Sequence, residues 1–177
     1  METNITILKP FFENPEKEFY IRELSRILKI NHTTIRQKLN KLVKEGFLTK
    51  EETHLTSSYK MVLSQKWLNL KLYYNLEKLH NSKLIEKIQR EYDFPIIVLF
   101  GSYSKASDDS KSDLDLCIIS NIKKRIEKEE FEKNINRKIS LHFFTKEEFD
   151  NTIKKNKGLI NNICNGIVIS GELEVIK

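Results

Sequence analysis

Two aspartates separated by a single residue stand at the start of an apolar run in the middle of the chain. The stretch reads VLFGSYSKASDDSKSDLDLCII, and Asp113 and Asp115 lie at the edge of its second apolar segment. Alternate side chains of a strand share one face, so we expect both carboxylates to point the same way. Two like charges at this separation repel unless a cation lies between them, and hard oxygen ligands of this kind suit Mg²⁺.

A Gly-Ser pair follows the first apolar run of the same stretch. The run PIIVLF is typical of a strand that is buried on both faces, and Gly101 and Ser102 come directly after it. Glycine allows the backbone to approach a ligand closely, and a strand-to-helix turn presents N–H groups to an anion. A phosphate-binding turn beside a carboxylate pair is suited to phosphoryl or nucleotidyl transfer.

These residues resemble the DNA polymerase beta-like nucleotidyltransferase superfamily, and most closely its minimal nucleotidyltransferase branch. The family pattern is Gly-Ser, ten residues, then Asp-x-Asp with a serine just before the first aspartate. The chain matches it with Gly101-Ser102, Tyr103–Ser112 and Asp113-Leu114-Asp115, although Ala106 replaces a frequent glycine. The resemblance covers about Glu91 to Lys177 and implies transfer of a nucleoside monophosphate, usually from ATP, to an acceptor hydroxyl with release of pyrophosphate.

The resemblance also implies a set of site residues and cofactors. Asp113 and Asp115 are the expected catalytic residues and Mg²⁺ ligands. The nucleotide-binding residues that it implies are Gly101, Ser102, Lys105 and Ser112. Because some minimal nucleotidyltransferases are antitoxins that adenylylate a HEPN-type toxin, a toxin or another protein is an expected acceptor.

The family uses a third carboxylate on a later strand, and this chain lacks it at the expected place. The position falls at Ser140 in the strand KISLHFFT, where alternation puts Ser140 and His142 on the face that should meet the aspartates. Leu141 and Phe143 are then expected in the core. A histidine titrates near neutral pH, so His142 joins the candidate catalytic residues as a base. Three interpretations stay open: a single metal, His142 as the base, or nucleotide binding without catalysis.

The charge distribution predicts two modules. The chain has a net charge of +6, and the segment from Tyr20 to Lys50 alone has eight basic and two acidic residues. The segment from Pro95 to Lys177 has 14 basic and 13 acidic residues. A basic module beside a nearly neutral one indicates that the first faces a polyanion such as nucleic acid.

The basic segment has the periodicity of a helix-turn-helix. The run FYIRELSRILKI has helical apolar spacing, and a second helix in HTTIRQKLNKLVKEG is expected between the cap Asn31 and Gly46. Two strand candidates, FLTK and YKMVL, then flank the polar stretch EETHLTSS as a hairpin. Residues from about Ile5 to Leu63 therefore resemble winged helix-turn-helix DNA-binding domains, with protein contact as the alternative use.

On the DNA-binding interpretation, the second helix enters the major groove. Base-edge contacts are expected from its polar face, at Thr33, Thr34, Arg36 and Gln37. Phosphate contacts are expected from the basic residues Arg22, Lys38, Lys41, Lys50 and Lys60.

The sequence thus predicts a two-domain α+β protein. Residues 1–64 form a winged helix, mostly α-helical with a β-hairpin wing. Residues 65–94 form a helical linker, and residues 95–177 form a small mixed α/β nucleotidyltransferase core. The predicted function is an ATP- and Mg²⁺-dependent nucleotidyltransferase that binds DNA. One alternative is a DNA-binding regulator whose degenerate transferase domain only binds nucleotide. Another is an enzyme that modifies nucleic acid held by the winged helix.

Composition bounds the location and the remaining chemistry. No apolar run approaches the roughly 20 residues that span a bilayer, and the N-terminus lacks a signal-peptide pattern. We therefore expect a cytoplasmic protein without a membrane partner, with a homodimer as one candidate state. Cys117 and Cys164 are expected as buried free thiols. The histidines at 32, 54 and 80 show no zinc-ligand spacing.

Overall fold

The computed structural model describes residues 2–53 and 56–174. It divides into two compact units, one up to Tyr74 and one from Asn75 onward. Both contain helices and a sheet, so the chain is a mixed α+β protein. His54, one of the histidines considered for metal binding, lies outside the described residues.

The first unit consists of helices and a small three-stranded antiparallel sheet. Its elements are α1 (Glu2–Glu13), β1 (Phe19–Tyr20), α2 (Ile21–Leu28), α3 (His32–Lys44), β2 (Leu48–Glu52), β3 (Ser57–Met61) and the first part of α4 (Gln65–Asn81). The strand order is β1-β3-β2, and both pairings are antiparallel. The two-residue strand β1 has no counterpart in the sequence prediction.

Helix α3 follows directly from its sequence. The side chain of Asn31 accepts a hydrogen bond from the Thr34 amide at 2.8 Å and so caps the helix. The apolar stripe of Ile35, Leu39 and Leu42 is fully buried in the core of the unit. Because this stripe faces inward, the polar and basic residues of α3 lie on its outer face.

Two of the three aromatic residues of α4 pack in the core of the first unit. Trp67 is buried, with its ring centroid 4.9 Å from that of Phe12, and the Tyr74 ring centroid lies 5.2 Å from the same phenyl ring. Tyr73 is about half exposed at 48%, so packing accounts for two of the three aromatic residues.

The second unit is a four-stranded mixed sheet with helices on both faces. Its elements after α4 are α5 (Leu84–Glu91), β4 (Ile96–Phe100), α6 (Gly101–Ser104), β5 (Leu114–Ile119), α7 (Glu129–Ile135), β6 (Ile139–Phe144), α8 (Lys146–Lys155), α9 (Lys157–Cys164) and β7 (Ile167–Ser170). The strand order is β6-β5-β4-β7. Strand β4 is antiparallel to β5 and β7, whereas β5 and β6 are parallel.

Successive side chains of β5 point to opposite faces of the sheet and contribute to a different hydrophobic cluster on each face. Leu114, Leu116 and Ile118 pack into the cluster that includes α5, and Cys117 and Ile119 pack into the cluster that includes α9. The two central strands are therefore buried on both faces, as the continuous apolar runs of β4 and β5 indicate.

Three sequence expectations in the second unit were wrong. The charged run KRIEKEEFEKNINRK predicts one helix over residues 124–138, but only Glu129–Ile135 (α7) is helical, and Asn136 ends it in a left-handed conformation. Phe143 is 43% exposed and stacks on Tyr92, since β6 is an edge strand with one open side. Cys164 is exposed, because the buried face of α9 is formed by other residues.

Among the described residues, no helix combines the length and apolar character that a membrane crossing requires.

Candidate functional site

Strand pairing places Asp115 at the centre of the candidate site. Asp115 lies opposite Phe100, the last residue of β4, and opposite Ser140 on β6. The position expected for a third carboxylate is therefore directly beside Asp115, and it holds a hydroxyl. Two residues further along both strands, Cys117 lies opposite His142, and this pair shares the face of Asp115 and Ser140.

Gly101 is packed against the Asp115 carboxylate. Its φ is +76°, a conformation that residues with a Cβ rarely adopt. A Cβ built there would lie 2.4 Å from Asp115 Oδ2, far inside van der Waals contact. The Gly-Ser turn and the Asp-x-Asp pair, separated by ten residues in sequence, thus form one site in which glycine makes room for the carboxylate.

The electrostatics of Asp115 reflect its position between strands. Partial burial raises the pKa of the Asp115 carboxyl, nearby Asp113 raises it further, and His142 opposes both. The His142 Nε2 atom lies 3.9 Å from Asp115 Oδ1, and the imidazole ring lies edge-on to Phe100 at 5.2 Å. The structure thus brings His142 beside Asp115.

Asp113 lies just before β5 and is exposed. The Leu114 amide donates to the Lys138 carbonyl at 2.8 Å, which continues the parallel register and puts Lys138 beside Asp113. Asp113 and Lys138 line a groove of about 620 Å³ with Lys111, Lys133 and Arg137. Sequence reasoning missed Lys138, although it is two residues before Ser140 and so shares its face of the strand.

The two aspartates suit one Mg²⁺ better than two. Within residues 2–53 and 56–174, no group of three metal-ligating side chains is present. A pair of carboxylates matches the usual protein contribution to a single Mg²⁺, whose other ligands are waters and substrate phosphates. Because Ser140 is not a carboxylate, a second metal would lack an expected ligand.

The other predicted nucleotide-binding residues have different surroundings. Ser102 lies in the single turn α6, and its carbonyl accepts from the Lys105 and Ser107 amides, both at 3.1 Å. Lys105 is exposed. The Ser112 hydroxyl is bonded to Asp109 at 2.9 Å and also accepts from the Asp109 amide, so it shapes the turn before Asp113.

The first unit contains a basic groove of about 1000 Å³. Arg22, Arg36 and Lys50, three of the predicted DNA contacts, line it together with Arg26 and His32. Sequence reasoning missed these last two, although each lies four residues from a predicted contact on one helix face. The groove also contains Glu23 and Glu52, and Glu52 pairs with Lys50.

The remaining predicted DNA contacts lie outside this groove. On α3, Thr33, Gln37 and Lys41 are exposed, whereas Thr34 and Lys38 are partly buried. The Lys41 ammonium is 3.6 Å from the Glu45 carboxylate, and Lys60 on β3 is partly buried. The predicted residues thus divide between the groove and the outer face of α3.

Comparison with known proteins gives one family match. Residues 82–173, more than half of the chain, match the sequence model of the polymerase beta nucleotidyltransferase domain. The match begins within the segment predicted as a linker. No curated protein is significantly similar.

Two solved structures resemble parts of the chain at low overall similarity. One, from Methanosarcina mazei Go1, is described as a possible transcriptional regulator; it is 17% identical, with 51% of this chain and 78% of that chain covered and a TM-score of 0.36. The other, from Rhodococcus sp. RHA1, is likewise described as such a regulator. It is 13% identical, with 70% of this chain and 46% of that chain covered and a TM-score of 0.33.

Proposed function

Because the chain belongs to the polymerase beta nucleotidyltransferase family, we propose that its second unit transfers a nucleoside monophosphate from a nucleoside triphosphate to an acceptor hydroxyl. ATP is the proposed donor and Mg²⁺ the proposed cofactor. The packing of Gly101 against Asp115 carries the proposal, since it joins both halves of the family motif in one site. A hydroxyl on a partner protein, such as a HEPN-type toxin, is the proposed acceptor by resemblance to the minimal branch.

Each side chain of the site has its own proposed role in this reaction. Asp113 and Asp115 would hold Mg²⁺, which when bound neutralises charge on the triphosphate. Gly101 and Ser102 would bind the triphosphate, and the exposed Lys105 would pair with it. His142, 3.9 Å from Asp115, is the nearby group able to accept a proton from the acceptor hydroxyl.

The test is a transfer assay with ATP labelled at the α-phosphate, Mg²⁺ and a panel of protein and nucleic-acid acceptors. We expect pyrophosphate release together with label on one acceptor class. Release without any labelled acceptor would indicate hydrolysis instead of transfer. Release that is unchanged by chelation of divalent cations would contradict the assigned role of the aspartates.

Replacement of Gly101 by alanine tests whether the two halves of the motif act together. The added Cβ must displace the Asp115 carboxylate, and the positive φ adds roughly 1–2 kcal/mol of strain. We expect Mg²⁺-dependent ATP binding to weaken at least tenfold in calorimetry. Gly46→Ala is the matched control, because Gly46 has a φ of +75° but a Cβ added there would meet nothing within 4 Å. Equal ATP affinity in both variants would show that Gly101 does not organise the site.

We also propose that the first unit is a winged helix that binds duplex DNA. Two features support this: α2 and α3 are separated by a short turn, and the antiparallel hairpin β2–β3 follows them. The basic groove is lined by residues of both helices and of the hairpin. A phosphate backbone in this groove could bind Arg22, Arg36 and Lys50. Thr33 and Gln37, exposed on α3, are the proposed base-edge contacts.

The DNA proposal predicts a salt dependence. Each neutralised phosphate releases counterions, so affinity should fall linearly with salt on a logarithmic scale. Lys41→Ala should weaken binding to all sequences and reduce the salt slope by about 1. Lys154→Ala on α8 removes the same charge from the second unit and should leave the slope unchanged. Fluorescence anisotropy with several duplexes measures both the affinity and the salt slope. No duplex binding at low salt would exclude this function.

A second candidate function is a DNA-binding regulator whose second unit senses nucleotide without catalysis. One observation favours it: Ser140, not a carboxylate, stands opposite Asp115. ATP binding without transfer to any acceptor, combined with an ATP-dependent change in DNA affinity, would support the regulator over the enzyme.

A further inference from the structure

Three buried polar side chains connect the segments that surround the candidate site. Asn75 and Asp108 are each 1% exposed, and Arg137 is 6% exposed. The Asn75 amide donates to Asp108 Oδ1 at 2.8 Å and to the Tyr103 carbonyl at 3.0 Å. Arg137 Nη2 lies 3.7 Å from Asp108 Oδ2, and the Tyr103 hydroxyl donates to the Asn75 carbonyl at 3.3 Å.

Asp108 occupies the middle of the loop that joins the two halves of the motif. This loop runs from Lys105 to Asp113, and most of its side chains are exposed. Ala106 and Asp108 are the buried ones, so they anchor it to the body of the unit. The neighbouring Asp109 accepts from the Lys111 and Ser112 amides and so sets the turn that leads into Asp113.

Arg137 anchors the opposite side of the site. It lies in the turn between α7 and β6, next to Lys138, and it lines the groove that also contains Asp113. The Arg137 Nη1 atom donates to the Asn136 carbonyl at 3.0 Å, which fixes the guanidinium in this turn. The contact with Asp108 therefore joins the loop before β5 to the turn before β6.

We propose that Asn75, Asp108 and Arg137 are positioning residues that set where the Gly-Ser turn, Asp113 and Lys138 stand relative to one another. The proposal rests on the proposed nucleotidyltransferase function. Burial of an ion pair contributes little net stability compared with apolar residues of similar volume, so stability alone does not account for this pair. The groups of a nucleotide site must stay within about 0.5 Å of their productive positions, and a largely exposed loop requires an anchor to keep them there.

The test uses Asp108→Asn, which keeps an acceptor for the Asn75 amide and removes the charge that faces Arg137. In the protein without ligand, we expect faster hydrogen exchange of the amides in residues 105–113, with the amides of β5 unchanged. We also expect Mg²⁺-dependent ATP affinity to fall at least tenfold. Glu147→Gln on the exposed face of α8 removes the same charge and should change neither measurement.

A double variant separates positioning from stability. Asp108→Asn with Arg137→Met removes both charges of the pair and keeps an acceptor for the Asn75 amide, so the melting temperature should be closer to that of the wild type than in Asp108→Asn alone. If the residues position the loop, ATP affinity should stay at least tenfold weakened in this more stable variant. Recovery of ATP affinity along with stability would overturn the proposal, as would unchanged loop exchange in Asp108→Asn. Failure of the wild type itself to bind ATP would instead refute the nucleotidyltransferase function, and the positioning role with it.

Discussion

Replacement of both Asp113 and Asp115 by asparagine should abolish Mg²⁺-dependent ATP binding and nucleotidyl transfer. Asparagine has nearly the shape of aspartate, so the strand and its pairing with Phe100 and Ser140 should persist. The variant loses both negative charges that would balance the cation. Loss of groups that merely orient metal ligands costs about 10–100-fold in affinity or activity, so loss of both ligands should exceed that range.

Calorimetric titration of ATP with and without Mg²⁺ measures this effect, and circular dichroism verifies the fold. A variant with Glu147→Gln and Glu172→Gln removes the same number of charges from exposed positions and should bind like the wild type. If the wild type binds ATP identically with and without Mg²⁺, the two aspartates are not metal ligands and the assigned site is incorrect.

Replacement of Ser140 by aspartate should raise the rate of transfer. The register places position 140 directly opposite Asp115, so the new carboxylate joins the existing pair and can accept the proton of the acceptor hydroxyl. General-base assistance contributes typically ~10²–10⁴-fold to a rate. If His142 already accepts the proton in the wild type, the rate gain of Ser140→Asp should lie toward the lower end of this range. Because the new carboxylate would replace His142 as the base, His142→Ala should lower the transfer rate of the wild type more than that of the Ser140→Asp variant.

Ser140→Asn is the matched control, since it adds a side chain of similar size without a charge and should not accelerate the reaction. Pyrophosphate release measured over several triphosphates and acceptors gives the rates. Background release from both the wild type and Ser140→Asp would contradict the enzyme hypothesis and leave the nucleotide-sensing regulator as the better interpretation.

Local sequence was sufficient for the parts of the molecule that depend on neighbouring residues. The N-cap at Asn31 and the buried stripe of Ile35, Leu39 and Leu42 follow from helical spacing, and the structure shows both. The polymerase beta nucleotidyltransferase family was likewise recognisable, because Gly101-Ser102 and the aspartate pair lie within one short stretch.

Contacts between distant segments were not readable from sequence. The Asn75 amide donates to Asp108 across 33 residues, and neither residue lies in a sequence pattern that indicates this contact. Strand β1 is two residues long, too short to show any alternation, and it forms by pairing with β3.

The contact between Gly101 and Asp115 restricts the order in which this site can lose its residues over evolution. A side chain at position 101 collides with the carboxylate for as long as Asp115 is present. Loss of Asp115 removes that obstacle and leaves only the backbone strain of a positive φ. A lineage that loses the aspartate pair would therefore be expected to change position 115 before position 101, so the glycine should persist after the carboxylate has gone.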